Sequence, residues 1–154
     1  MPKSGTLRIF YHLVKRVILA LIIFTTTAPN LHANPMMPDR YNAVTITNVI
    51  ILAAPPGGNS ALRFRLVNES AETLVLIGVT SEYISGAKIL AQTRHKTPAG
   101  LGSISIRPEE TLDLHSSHLK ILLTGLKKGF LQGQIVPLTL DMSRGRIPIH
   151  AHVH

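Results

Sequence analysis

The chain of 154 residues contains no cysteine. This absence excludes disulfide bonds and thiolate metal sites, so the fold must depend on its packed core. Any transition metal would be held by imidazole nitrogens or by methionine sulfurs. Beyond the first 33 residues methionine occurs only at Met36, Met37 and Met142, which leaves histidine as the main candidate ligand.

The chain also lacks an apolar run long enough for an ordinary transmembrane helix. Its longest run, "VILALIIF", covers only residues 17–24, whereas a spanning helix needs roughly 20 apolar residues. Basic residues precede this run and the small, polar segment "TTTAPNLHANP" follows it, in the order typical of a secretory signal peptide. We predict a signal peptide over residues 1–33 and a flexible leader over residues 34–43. The mature protein would be periplasmic, without an integral membrane segment; an uncleaved anchor is the alternative.

Acidic and aromatic side chains are few. The chain has 16 basic and 8 acidic residues, and aromatic residues make up 5% of it. Removing the predicted signal peptide takes away four basic residues and leaves 12 basic against 8 acidic side chains, a net charge of +4. The remaining basic residues are scattered with few aromatics between them, a pattern that argues against a nucleic-acid-binding surface. A mildly basic, solvated exterior is predicted instead.

No stretch of the mature sequence shows a sustained helical period. Short apolar or alternating segments are instead separated by Gly, Pro, Asn or Ser at spacings of about 8–12 residues, which is typical of an all-β sandwich or barrel. The predicted strands are AVTITNVIIL, ALRFRLV, TLVLIGV, KILAQT, SISI, TLDL, LKILLTGL, IVPLTLDM and RIPIHAHV. They predict one all-β domain over residues 44–154.

The last predicted strand ends in three alternate histidines, His150, His152 and His154. Alternation places these imidazoles on one face and the apolar residues between them on the other. Pro148 cannot donate to a sheet ladder, so we predict an edge strand. Two imidazoles at positions i and i+2 can chelate one ion, and a third can bind from a frayed end. Such a site would need neutral rings, which favours binding above about pH 6.5. The alternative is a polar row that protects the edge from pairing with another chain.

Several segments in fixed order resemble the PCu(A)C family of exported copper chaperones. They are APPGGNSALRFRLVN, LIGVTSEYISGAKILAQTR, TLDLHSSHLKILLTGLKKGFLQGQIVPLTLDM and GRIPIHAHV. The resemblance implies a cupredoxin-like or immunoglobulin-like β-sandwich, copper as the cofactor, and a periplasmic or membrane-anchored copper-receiving protein as the partner. It also implies a ligand set of two His and two Met. Ala91, Lys120 and Leu122 stand where the first His and the later His-x-Met pair belong, and the segment "HKTPAGLG" contains no Met.

Cu(I) requires two or more soft donors, and a Lys ammonium would repel it. Replacement ligands must therefore lie elsewhere. The best candidates are His150, His152 and His154, with His118 as a further candidate. His95 would be a displaced first ligand; the alternative is an ordinary turn histidine. Met36 and Met37 would be donors on the leader; the alternative is that they bind nothing.

An enzyme is not predicted. The only local group that resembles a catalytic set is Asp113, His115 and Ser116 or Ser117, and no nucleophile elbow, phosphate loop or dinucleotide fingerprint accompanies it. His115 is assigned instead to a polar turn. Two hypotheses remain open: a copper-trafficking accessory that binds metal through its C-terminal histidines, and a metal-free interaction module built on the same scaffold.

Overall fold

The computed structural model describes residues 42–92 and 97–154, which form ten β-strands. In order they are β1 Val44–Ile51, β2 Ser60–Asn68, β3 Leu74–Thr80, β4 Gly86–Ala91, β5 Ala99–Leu101, β6 Ile104–Ile106, β7 Thr111–Asp113, β8 Leu119–Thr124, β9 Ile135–Met142 and β10 Gly145–Val153. The predicted signal peptide, most of the leader with Met36 and Met37, and His95 lie outside the described residues. Within those residues no helix is long and apolar enough to cross a membrane.

All nine predicted strands are present, and the all-β fold class is confirmed. The tenth strand, β5, was not predicted because its three residues, Ala-Gly-Leu, are all exposed and carry no alternating pattern. β5 is recognised as a strand by its antiparallel pairing with β4. A local sequence pattern does not reveal such a pairing.

The hydrogen-bonded strands follow the order β5-β4-β8-β2-β1-β10-β9-β3-β6, with β7 paired to β2. This path folds around a single apolar core. Phe64 of β2, Ile121 of β8, Ile106 of β6 and Leu140 of β9 are each at most 1% exposed and belong to the same buried cluster. Buried positions alternate with less buried ones, most regularly along β2 and β10.

The prediction that the last strand is an edge strand is wrong. β10 lies between two neighbours: it is antiparallel to β9 over eight registered pairs and parallel to β1 at Ile50–His152 and Ile51–Val153. The sequence could not reveal the parallel partner, because β1 is about 100 residues away in the chain. At His152, with a strand on each side, there is therefore no open edge to protect.

The sheet accommodates Pro148 because, at this residue, β10 is paired with β9 but not with β1. The N–H of Val153 donates towards the β9 side, to the Gln134 carbonyl, and the N–H of His154 donates towards β1, to the Ile51 carbonyl. Since backbone directions alternate along a strand, the nitrogen of Pro148 faces the β1 side. No residue of β1 is registered there, so the missing N–H breaks no ladder hydrogen bond.

Candidate metal centre

The three C-terminal imidazoles project from one face of β10, as the alternation predicts. His150, His152 and His154 are exposed, whereas Ile149, Ala151 and Val153 are at most 5% exposed. The backbone of this segment is fixed from beneath by burial of the intervening residues.

The chain end is paired, so the predicted frayed end is wrong. The N–H of His154 donates to the Ile51 carbonyl at 2.9 Å, and its carbonyl accepts from the N–H of Ala53 at 2.8 Å. His154 is thus held as an extension of the strand. Its imidazole is exposed, while its backbone is hydrogen-bonded to β1 and to Ala53.

A β-bulge in β1 forms the other wall of a shallow groove beside the imidazoles. The pairing of β1 with β2 shifts between Thr47 and Ile50, and Asn48 has a left-handed backbone with φ of 53°. Asn tolerates this conformation better than most residues. The groove has a volume of about 430 Å³ and is lined by Ile46, Thr47, Asn48, Val49, Ile50 and the three histidines. It therefore contains imidazole, amide and hydroxyl groups but no charged side chain.

His152 occupies the centre of the row and has an aliphatic neighbour on each side. Ile50 of β1 and Ile135 of β9 are its registered partners. Cross-strand partners project from the same face of a sheet, and Ile135 is 57% exposed there. An ion at His152 would therefore be flanked by apolar side chains on both sides.

The strand geometry limits how many of the three imidazoles can hold one ion. A rise of about 3.3 Å per residue puts neighbouring histidines about 7 Å apart at Cα and the outer two about 13 Å apart. An ion held by this row would therefore have an adjacent pair as its ligands, and His152 belongs to both pairs. Within residues 42–92 and 97–154, no group of three or more His, Asp or Glu side chains is arranged to hold a metal.

The structure does not bring His118 together with the row. His118 precedes β8, and its carbonyl accepts from the N–H of Gln92. β2 and β1 lie between β8 and β10 in the sheet, a separation of about 14 Å for three strand spacings. The two regions share a sheet but do not form one site.

His115 lies in a hydrogen-bonded turn, yet its ring reaches β1. Asp113 accepts from the main-chain N–H of His115 at 2.9 Å and from the Ser116 hydroxyl at 3.1 Å. The His115 ring contacts the Asn48 carbonyl through Nε2 at 3.0 Å. Since a carbonyl only accepts, Nε2 carries the proton. Asp113 thus orders the turn through backbone and hydroxyl groups, and the His115 ring supports the bulge.

The pKa of the Asp113 carboxyl is lowered. The largest cause is the hydrogen bond from the His115 N–H, with further contributions from the Ser116 hydroxyl and the nearby charges of His115 and Arg65. Desolvation opposes these effects without reversing them. The ionised carboxylate is therefore the form that stabilises the turn.

The positions matched to the family's copper ligands do not share a face. Leu90 is paired with Lys120, and Ala91 is paired with Leu119. Lys120 and Leu122 therefore project outward, while Ala91 lies on the side of the buried Ile89 and Ile121. On this side of the sheet, the residues that project on the same face as Lys120 are Leu90 and Gln92. Each is one residue away from Ala91, the position matched to the family's first His.

Sequence reasoning missed the β1 wall of the groove and the contact made by His115. A local signal for the bulge exists, because Asn48 interrupts an otherwise alternating and apolar strand, and Asn favours bulge and left-handed positions. No local signal connects His115 with Asn48, because 67 residues separate them.

Comparisons with known proteins agree on the fold. Residues 44–153 match the family described as "Putative lipoprotein LpqE-like". The copper-bound PCuAC domain from PmoF2 is similar with a TM-score of 0.62 and 21% identity, over 73% of this chain and 92% of that domain. The Cu(I) form of DR1885 from Deinococcus radiodurans is similar with a TM-score of 0.58 and 24% identity, over 75% of this chain and 82% of that one. No curated protein matches by sequence. The resemblance seen in the sequence and the predicted β-sandwich are confirmed.

Proposed function

Because the chain belongs to the LpqE-like family and has the fold of PCuAC domains, we propose that it is a copper-chaperone-like protein that holds its metal on the C-terminal imidazole row. Two of the similar structures are described as copper-bound. In this chain the metal would rest on two adjacent members of His150, His152 and His154, at the groove beside the β1 bulge.

The observation that carries this proposal is the arrangement of the row itself. Three imidazoles project into one groove from a backbone that is fixed by buried Ala151 and Val153 and by the pairing of His154 with β1. Imidazole favours Cu(II) and Zn(II) over the soft Cu(I) ion. A site of two imidazoles on one chain leaves coordination positions free for ligands from a second protein chain.

The test is a titration of untagged protein, purified after expression of the full chain, with Cu(II), Zn(II) and Cu(I). The variant that replaces His150, His152 and His154 with Ser should lose Cu(II) and Zn(II) binding. His118→Ser, which removes an exposed imidazole outside the groove, is the matched control and should bind as the unaltered protein does. Retention of tight Cu(I) binding by the triple variant would place the ligands elsewhere and contradict the proposal.

A metal-free interaction module is the second candidate function. It is favoured by Ala91, Lys120 and Leu122 at the positions matched to the family's ligands and by the lack, within the described residues, of a group of three or more donors. Absence of binding by the unaltered protein in the same titration would select this candidate.

Export to the periplasm and a copper-receiving partner complete the proposal. The sequence of residues 1–33 supports export. Cell fractionation with N-terminal sequencing should find the protein in the periplasm, beginning at Asn34. A cytoplasmic protein that retains Met1 would contradict export. The partner is proposed to be periplasmic or membrane-anchored, and cross-linking of copper-loaded protein in intact cells should capture it only while the histidine row is present.

A further inference from the structure

We propose that a divalent ion is shared between two copies of this chain, each supplying two adjacent imidazoles of β10. This inference rests on the proposed function, since it concerns the same imidazoles. It adds a partner to the site, a second copy of the chain, and specifies one metal ion for every two chains.

The first argument is the number of donors. Zn(II) in closed protein sites takes four ligands in tetrahedral geometry. One strand supplies two imidazoles to one ion, because the outer histidines are about 13 Å apart. No Asp or Glu side chain lines the groove, and the part of the chain that the structure describes has no cluster of three donors. Two copies related by a twofold axis through the ion supply four.

The second argument is access to the row. The imidazoles project from the outer face of the sheet, and His152 has β9 on one side and β1 on the other. Two sheet faces pack about 10 Å apart, a gap that facing imidazoles and one ion can span. A twofold axis brings the same patch from each copy into contact, as in most homodimers.

The third argument is the apolar surface around the row. Ile135 is 57% exposed and Leu52 is 41% exposed. Ile135 is the cross-strand partner of His152, and Leu52 follows Ile50, the other partner of His152, by two residues. Covering these side chains would favour association. No charged side chain lines the groove itself; Arg63 and Arg65 of β2, the registered partners of Ile50 and Thr47, lie on the same face one strand farther from the imidazoles.

The experiment is a Zn(II) titration of the untagged protein, from zero to just above one Zn(II) per chain, with mass measured by sedimentation equilibrium. The expected result is saturation at one Zn(II) per two chains, with a doubling of mass that a chelator reverses. Binding at one Zn(II) per chain without a mass change would overturn the shared site and leave the proposed function intact. No binding at all would overturn both.

A pair of matched variants separates association from chelation. Ile135→Lys adds a charge at the centre of the proposed contact and leaves all three imidazoles in place. We expect it to bind Zn(II) more weakly, because the new ammonium lies beside the ion and repels it, and to keep the mass of a single chain even at Zn(II) concentrations that saturate it. Ile77→Lys makes the same change at another exposed isoleucine, 49% exposed on β3, and should still double in mass. Equal behaviour of the two variants would overturn the proposed contact.

Discussion

In the proposed site, the central histidine of the row belongs to more metal-binding pairs than either outer histidine. Each adjacent pair includes His152, whereas His150 and His154 belong to one pair each. A second ligand on the same strand acts as an intramolecular donor, which strengthens binding on the order of 100-fold over a single imidazole.

We therefore expect His152→Ala to weaken Zn(II) and Cu(II) binding on the order of 100-fold, because it leaves two imidazoles too far apart to chelate. His150→Ala and His154→Ala should each weaken binding by only about twofold, since one pair remains. Isothermal titration calorimetry at pH 7.5 measures the three affinities. Equal losses for all three variants would mean that the row binds as one three-imidazole unit.

Asp113 gives the turn at residues 113–117 a predictable response to acid. Its pKa is lowered in the folded protein, chiefly by the hydrogen bond from the His115 N–H. A carboxyl with a depressed pKa contributes stability above its unfolded value of 3.8, and this contribution is lost as the pH falls through the folded pKa.

We expect Asp113→Asn to be less stable than the unaltered protein at pH 6, and we expect the difference to shrink below about pH 3.8. Urea unfolding midpoints measured between pH 3 and pH 6 test this. Glu109→Gln, at an exposed carboxylate, serves as the control. A difference that stays constant with pH would show that the carboxylate charge does not stabilise the turn.

Single strands show what a sequence can and cannot predict. The alternation of Ile147, Ile149, Ala151 and Val153 with polar residues is local, and it correctly assigned the buried and exposed faces of β10. The parallel neighbour β1 was not predictable, because pairing across about 100 residues leaves no local pattern. The same limit explains why His118 is three strands from the row and why Ala91 faces away from Lys120.

Asn68 at the end of β2 shows how a buried polar residue can stabilise an element boundary. It is fully buried, and its amide nitrogen donates to the carbonyls of Glu72, Ile106 and Arg107 at 2.8–3.0 Å. Its amide oxygen accepts from the N–H and the hydroxyl of Ser70. One side chain thus connects the end of β2, the loop after it and the end of β6.

We expect Asn68→Ala to lower the free energy of unfolding by about 2–3 kcal/mol, because it leaves buried carbonyls without donors. Asn68→Asp should be worse at neutral pH, since a carboxylate would face three carbonyls. Urea denaturation of the two variants tests this. Ser70→Ala is the control; it removes one of the two donors to the amide oxygen and the hydroxyl contacts with the Glu72 backbone, leaves the Ser70 N–H in place, and should cost less. A stability of Asn68→Asp equal to that of the unaltered protein would contradict this account.

For the whole molecule, β10 combines two roles that can be separated. Its inward residues Ala151 and Val153 complete the core beside β1, and its outward imidazoles form the groove. A truncation after Ile149 removes both sets, so it cannot serve as a test of metal binding. The triple replacement of the histidines by Ser removes only the outward set.

We expect the truncated chain to lose about 3 kcal/mol or more of stability, from the buried Val153 and the hydrogen bonds to β1. The triple variant should unfold at the same temperature as the unaltered protein when no metal is present. With Zn(II) at 100 times the dissociation constant, only the protein with intact histidines should be stabilised, by at most about 2.7 kcal/mol, which is an increase in Tm of at most roughly 10 °C for a domain of this size. Differential scanning calorimetry measures all three proteins.

Zn(II) should raise the stability of the unaltered protein only, because a metal stabilises a fold to the extent that it binds the folded chain more tightly than the unfolded chain. The histidines stay adjacent in sequence when the protein unfolds, so part of the chelating motif survives. The fold adds a fixed strand direction, which places neighbouring imidazoles on one face at about 7 Å. If Zn(II) binds the unaltered protein tightly but leaves its Tm unchanged, the unfolded chain binds equally well and β10 does not organise the site. A rise in Tm confined to the protein with intact histidines would show that the strand itself builds the metal centre.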